Sequence, residues 1–515
     1  MKKRKHIYVM MALFTMLTIG SCREQADHLV SYGQDDFFYF RASDTCFEGQ
    51  FKAVWTALNC NYGIWDHEAK FGLDWDAVYR KYLPKMQELD NRDKKTSPVT
   101  DEEFMELYKE IVSPLHDGHF YLQIKNVHTK NYSMIFPAYI RNASRPDFNI
   151  NWRTNKDYYL TDDAGENKLE EFASVSVRSS VYVDKEIQEA LTEIMSFIQE
   201  LEAIENRTAL QEYNLACYQE AYQELSDFRI ASQDDFDLDY YNNVLTSMCQ
   251  QLGISLSPFD IDPFYLLDAN YAAFNDGIAY LGLTGCTLVY YFTGEISGSP
   301  CKDYYSSAIK DLWYQWFNKI QDLHKAGRLK GVIIDVRNNA GGNTQDYQYL
   351  LGALLPEGGH HVASVRTKTG IGRYDYAPLI PRIDITLSIE HATITEPVVV
   401  LANCNSMSMA EETCLGAKRM ENGRVIGTQT WGAMSAIIPD PSYYSSTYGG
   451  RVGIEGKTSF YAYIPTFVTV SFDGEIFEGV GVTPDIEAPL DMDLYNTTGR
   501  DSQLERALQY IRTGN

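Results

Sequence analysis

The chain has 515 residues, 44% hydrophobic and 22% charged, which places it among globular proteins with room for two or three domains and a large core. Its net charge of −25 argues against nucleic acid or an anionic membrane face as the main partner. Beyond the first twenty residues no stretch is apolar over a bilayer's width, so no internal membrane span is expected.

Lys2, Lys3, Arg4 and Lys5 precede an apolar run over 7–19, the layout of an export signal. Ile19-Gly20-Ser21-Cys22 resembles a bacterial lipobox, which implies cleavage ahead of Cys22 and a lipid on its thiol; a plain secretory signal cut nearby is the other reading. Residues 1–21 are then a signal peptide and 22–35 a tether. Two or more acyl chains on Cys22 would hold the body against a membrane of the cell envelope. Eight cysteines remain, with no CxxC pair and no zinc signature. Cys286 and Cys301 could close a hairpin, and buried free thiols are an equal alternative.

From 46 to 115 the chain reads mostly helical. Phe51, Val54, Trp55 and Leu58 recur at three- and four-residue steps, as do Phe104, Leu107, Ile111 and Leu115. Between them 74–83 opens on Asp74, a residue suited to an N-cap. A small helical bundle is therefore expected over 36–119. It ends at the turn dipeptide Asp117-Gly118, and 120–124 follows as a strand. Residues 120–275 form a mixed intermediate region, with short strands and loops over 125–180. Within it Ile187, Leu191, Ile194, Ile198 and Leu201 make one apolar stripe, and Leu210, Tyr213, Cys217, Ala221 and Leu225 a second. These predict an inserted helical hairpin over 184–227, read as a simple insertion with a solvated acidic face in preference to a lid or dimer arm.

From 276 onward strands and helices alternate. Strands are expected at 277–283, 332–336, 398–402, 424–427, 458–464 and 466–472, with helices at 303–326, at 345–355, after Ser408, and at 503–511. That alternation predicts an α/β core over 276–495 with a mostly parallel sheet, and a C-terminal helix within 496–515.

Two junctions in this core carry chemistry. The run GVIIDVRNNAGG, 331–342, is a short β-branched strand broken by Asn338, Asn339, Gly341 and Gly342 ahead of a helical pattern. Ser408 stands where the strand 398–402 gives way to a helix, a corner at which α/β folds present nucleophiles, although a serine three residues before Glu411 is also a plain capping box. If the two strands are neighbours, the amide of Gly341 or Gly342 and that of Met409 can converge on one oxygen as an oxyanion hole. A nucleophilic serine needs a base, and His119, in SPLHDGHFYL, has the best local context, with His116 three residues earlier.

Together GVIIDVRNNAGG and SMSMAEE resemble the two signature segments of the C-terminal-processing and tricorn-type serine peptidases, the tail-specific protease superfamily, whose sheet is of the ClpP/crotonase kind. The likeness covers roughly 276–490 and, more loosely, the helical bundle with LHDGH. It implies Ser408 as nucleophile. The C-terminal-processing branch uses a lysine base in the segment matching 427–433, and here Ala433 stands in that place, which rules out a Ser–Lys dyad there. The tricorn-type branch, with Thr-Trp-Gly in this segment, is the closer likeness. It implies His119 as the base and Glu478, in EGVGVTPD, as the acid that orients it; Glu455 offers a second acid.

The expectation is an exported, lipid-anchored serine peptidase that hydrolyses peptides or unfolded protein without metal or organic cofactor. The alternative is a catalytically inactive peptide- or ligand-binding lipoprotein on the same fold, since the dyad lysine is missing.

Overall fold

Two runs of β-branched residues, 331–335 and 398–402, lie side by side as parallel strands at the centre of the molecule. The computed structural model describes residues 45–148, 170–174, 271–283, 285–293, 302–369, 372–435, 451–453, 458–465 and 467–515, with separate positions between 191 and 226. The export signal, the tether with Cys22, and Glu455 lie outside the described residues.

Four helices open the described chain: α1 (Phe47–Asn61), α2 (Trp65–Lys70), α3 (Trp75–Asp90) and α4 (Asp101–Val112). Asp74 accepts from the Ala77 amide at 2.9 Å and Thr100 from Glu103 at 3.2 Å, so α3 and α4 each start on a side-chain cap. Then come β1 (Tyr121–Lys125), β2 (Tyr132–Ile135), α5 (Pro137–Asn142), β3 (Glu170–Ser174), β4 (Tyr271–Asn275), β5 (Ile278–Gly282), α6 (Leu288–Thr293), α7 (Lys302–Lys325) and β6 (Gly331–Asp335). The chain continues through β7 (Gly359–Thr367), β8 (Ile380–Ile385), β9 (Val398–Ala402), α8 (Met409–Arg419), β10 (Gly423–Gly427), β11 (Arg451–Val452), β12 (Phe460–Tyr463), β13 (Phe467–Ser471), β14 (Ile486–Glu487), α9 (Met492–Thr498) and α10 (Ser502–Thr513).

The main sheet has seven strands in the order β14-β10-β9-β6-β5-β4-β3, parallel from β14 to β5 and antiparallel beyond. The fold is therefore α/β. Both faces are covered: Val332, Ile334, Val398 and Val400 pack with Trp313 and Trp316 of α7 and Cys414 of α8, while Ile333, Val399 and Leu401 pack with Leu504, Leu508 and Ile511 of α10. This two-residue alternation explains why the strands read as unbroken apolar runs. Leu191, Ile194, Ile198 and Leu215 of the expected hairpin are buried in the same core as α7.

A second sheet, β11-β12-β1-β2, joins the helical bundle to the core. Tyr121 faces Tyr463, and Leu122 and Ile124 share one apolar cluster with α1, α4 and β12. This pairing brings the turn before β1 to the rim of the main sheet. A third sheet, β13-β7-β8, was not legible as strands over 359–385.

One expectation about the elements is corrected. Residues 345–355 are not an α-helix but two 3-10 turns, Thr344–Tyr349 and Leu351–Ala353. Asp346, which would have stood in the first helical turn, instead accepts the Leu288 and Val289 amides at 2.8 Å and ties the segment to α6. Cys286 is a free buried thiol, the second of the two readings offered for it; Cys301 lies outside the described residues.

Candidate active site

The ends of β6 and β9 are stitched together before any functional side chain appears. Asn403 Oδ1 accepts the Asn338 amide at 2.9 Å, Ser406 Oγ donates to the Val336 carbonyl at 2.7 Å, and the Met407 amide donates to the Asn339 carbonyl at 2.9 Å. Ser408 follows, at φ 54° and ψ −118° on the first corner of α8. A non-glycine residue held there costs on the order of 1–3 kcal/mol and persists only where its surroundings fix it. They do so here. The Ser408 amide donates to Glu411 Oε2 at 3.1 Å, and the Gly341 backbone presses on the serine from the other strand. A Cβ on Gly341 would lie 2.5 Å from Ser408 Cβ and 3.0 Å from the Met409 nitrogen, and Gly341 itself sits at φ +86°.

The oxyanion donors need one correction. The Gly341 amide is already engaged with Asn339 Oδ1 at 2.8 Å. Among the described residues the amides of Gly342 and Met409 make no hydrogen bond, so these two remain as candidate donors. The loop that carries Gly342 is bonded on both sides: the Cys286 amide donates to the Gly341 carbonyl at 2.8 Å and the Asn343 amide to the Cys286 carbonyl at 2.7 Å.

Residues 430–435 lie between Ser408 and the histidine turn, held by two buried carboxylates. Glu411 Oε1 accepts Thr430 Oγ1 at 2.6 Å and the Gly432 amide at 2.8 Å, while Oε2 accepts the Ala433 amide at 2.7 Å as well as that of Ser408. Glu478 Oε1 accepts the Met434 and Ser435 amides at 2.6 and 2.5 Å. Burial pushes the Glu411 carboxyl up to about 7, against the pull of those donors, and raises Glu478 as well.

Every backbone amide of the turn 116–120 meets a side chain. His116 donates to Glu68 Oε1 at 2.7 Å, Asp117 to the Tyr62 hydroxyl at 3.2 Å, and Gly118 to Glu478 Oε2 at 2.8 Å. His119 and Phe120 both donate to Asp117 Oδ1, at 2.9 and 3.0 Å. A Cβ on Gly118 would lie 2.3 Å from that of Ala433, so this turn fills the space beside residue 433.

His119 itself is alone. Neither ring nitrogen makes a hydrogen bond among the described residues, and Nδ1 is buried. Burial with no compensating partner lowers its pKa to about 4, so the ring is neutral at physiological pH. Glu478 therefore does not hold the imidazole: its carboxylate holds the backbone on either side of it, at Gly118 and at 434–435. The imidazole that does have a carboxylate is His116, whose Nδ1 donates to Glu68 Oε2 at 2.7 Å and whose ring stacks on Phe71 at 3.7 Å.

The sequence profile of Peptidase family S41 matches residues 305–488, which contain Gly341, Ser408, Glu411, Ala433 and Glu478. Residues 305–488 form a peptidase family S41 domain. A carboxy-terminal-processing protease of Bartonella bacilliformis is 27% identical over 188 residues, 36% of this chain and 35% of that protein, so the match spans about a third of that relative's length. Among solved structures, a protein from Parabacteroides merdae is 15% identical, covers 90% of this chain and 96% of its own, and superposes with a TM-score of 0.46. Mature CPAF complexed with lactacystin is 12% identical, covers 93% and 100%, and has the same TM-score of 0.46.

The S41 segment does not include the histidine turn, which reaches the domain through β1 pairing with β12 and through Glu478. Sequence reasoning missed several residues that brace this joint. Arg141 of α5 donates to the Leu115 and His116 carbonyls at 2.9 and 3.0 Å, and Arg145 donates to the Thr430 carbonyl at 2.7 Å and to that of Gln429. Glu68 and Tyr62 also went unnoticed. Glu411 was visible as a capping-box residue, but nothing local signalled that it also grips 430–433.

Proposed function

We propose that the protein is a serine peptidase hydrolysing peptide bonds through an acyl-enzyme, with Ser408 as nucleophile and an imidazole of the 116–120 turn as base. Membership of residues 305–488 in the S41 family supports a hydrolase acting on peptides or proteins. The observation that carries the finer reading is a shared neighbour. Ala433 donates to the same Glu411 oxygen as Ser408, and its other side abuts Gly118, the residue before His119.

In this reading Ser408 Oγ attacks the scissile carbonyl as His119 takes the hydroxyl proton. The tetrahedral oxyanion forms against the Gly342 and Met409 amides; removing one such donor costs about 3 kcal/mol of barrier in enzymes of this kind. The imidazolium then protonates the departing amine, and water repeats the sequence on the acyl-enzyme. Glu478 acts on His119 through the Gly118 backbone. A second base is favoured by one observation, the His116–Glu68 pair, which has the base-and-orienter bond that His119 lacks.

The test is labelling by a serine-directed phosphonate together with hydrolysis of unfolded protein. Both are expected to vanish in Ser408→Ala and to fall far more in His119→Ala than in His116→Ala. The reverse order assigns the base to His116. Wild-type protein that neither labels nor hydrolyses is instead a peptide-binding relative.

We further propose export and lipid attachment at Cys22, supported by the basic, apolar and lipobox-like order of 2–22. Incorporation of a fatty-acid analogue, lost in Cys22→Ala, is the expected result; equal incorporation in the variant removes the anchor.

A further inference from the structure

The turn 116–120 is an unusual place to find so much negative charge. Glu68, Asp117 and Glu478 are all buried, and all point oxygens at its amides. Backbone donors alone do not neutralise three carboxylates in a low-dielectric joint. The groups that face this cluster are Tyr62 from the end of α1, His67 and Glu68 of α2, His116 and Asp117 of the turn, Glu478, and Arg141 of α5; Lys70 acts on His67, and Glu411 acts on Glu478 from α8. His67 is held neutral by burial, and its Nε2–H donates to the Glu478 carbonyl at 2.8 Å. That leaves Arg141 as the permanent cation inside the ring of acids, with its two terminal nitrogens on the carbonyls of residues 115 and 116. Its Nε is buried without a partner among the described residues, so the side chain is not located by an ordinary bidentate ion pair.

We propose that Arg141 is a positioning residue for the catalytic turn: it grips the carbonyl side while its charge favours the ionised Glu478 that holds the amide of Gly118. Glu478 accepts backbone amides with both oxygens, Gly118 on one and Met434 and Ser435 on the other, and it can do so only while deprotonated; a proton on either oxygen puts a donor against a donor. Burial already pushes Asp117 well above the usual carboxylate range, with the Glu478 charge adding to the rise. Loss of the guanidinium charge therefore protonates Glu478 at higher pH and loosens the turn that carries His119. The inference rests on the Ser408–histidine reading above, because the turn matters to turnover only if it supplies the base.

The experiment compares full-length wild type with Arg141→Gln and Arg141→Lys, following the rate of Ser408 labelling by a phosphonate against pH. Arg141→Gln removes the charge and keeps a donor; Arg141→Lys keeps the charge and loses the planar fork. The acid limb is expected to move upward by about one pH unit or more in Arg141→Gln and to return toward the wild-type position in Arg141→Lys, with labelling at neutral pH slowed by about 100-fold in the glutamine variant. Adding Glu68→Gln to Arg141→Gln removes one acid with the cation and should bring the limb part-way back. This double variant and Arg141→Lys also serve if Arg141→Gln does not fold. Coincident limbs in all folded variants, whatever their stability, overturn the proposal. Wild type that never labels refutes the underlying peptidase reading and is a different outcome.

Discussion

Glu478 Oε2 lies 2.8 Å from the amide nitrogen of Gly118, a bond between residues 360 apart in sequence. The same carboxylate accepts the Met434 and Ser435 amides on its other oxygen. It therefore sets the backbone spacing between the histidine turn and the loop beside Ser408. Glu478→Gln keeps one acceptor and turns an NH2 toward either Gly118 or the 434–435 pair. Leaving a buried donor unmet costs about 1–3 kcal/mol, so the variant should melt at lower temperature and label at Ser408 about 100-fold more slowly. A carboxylate that merely oriented the imidazole would slow labelling with little change in melting, and that result would reject the backbone role.

Gly341 is the point where the two strand ends touch. A methyl group there would meet Ser408 Cβ at 2.5 Å and the Met407 carbonyl at 2.7 Å, in a backbone with φ +86° that side chains rarely adopt. Gly341→Ala should destabilise the protein by roughly 1–3 kcal/mol and move Ser408 enough to abolish labelling. The strand and helix content by circular dichroism should be unchanged, because the clash is confined to the corner. An alanine variant with normal labelling would show that the corner yields easily and does not fix the serine.

The same motif buries an ion cluster that ties the 331–342 segment to the C-terminal helix. Arg337 bonds Asp335 at 2.5 Å and Asp501 at 2.8 Å, and Asp501 also caps α10 by accepting the Gln503 and Leu504 amides at 3.1 and 3.0 Å. Asp501→Ala leaves a buried guanidinium half-paired and a helix uncapped. The expected loss is on the order of 3–5 kcal/mol, read as a fall in the denaturant midpoint. A loss below about 1 kcal/mol, the size of an exposed pair, would mean that Arg337 finds other partners.

The sequence exposed those parts of the fold that depend on near neighbours. The runs at β6 and β9, the cap at Asp74 and the corner at Ser408 are set within a few residues, so periodicity and residue type reveal them. The 3-10 turns after Gly342 were hidden because Asp346 has partners 57 and 58 residues away, on α6. Likewise the joint around 116–120 is made by Glu68, Arg141 and Glu478, each bonding a backbone group that any residue would supply. Such bonds leave no pattern in sequence. Glu478 could be singled out only through a family likeness, which gave the residue and not the atom it bonds.

The pH dependence should separate activity from stability. Glu411 serves Ser408, Ala433, Gly432 and Thr430 only as a carboxylate, and burial places its pKa at about 7. Labelling at Ser408 should therefore fall as pH drops through 7. Stability runs the other way for this group. Its folded pKa lies above the ordinary 4.5, so the fold binds the proton more tightly than the unfolded chain. That contribution is full below 4.5 and lost as pH rises through 7. His119, with Nδ1 buried and its pKa lowered to about 4, opposes it: its neutral form favours the fold above the ordinary 6.5, and this is lost toward 4. Comparison with Glu411→Gln isolates the glutamate. Wild type should gain stability relative to the variant as pH is lowered from about 8 to 5, while only wild type loses labelling across that range through Glu411. A wild-type acid limb centred below about 5, near the ordinary carboxylate range, would show that Glu411 stays ionised in its network and that another group sets the limb.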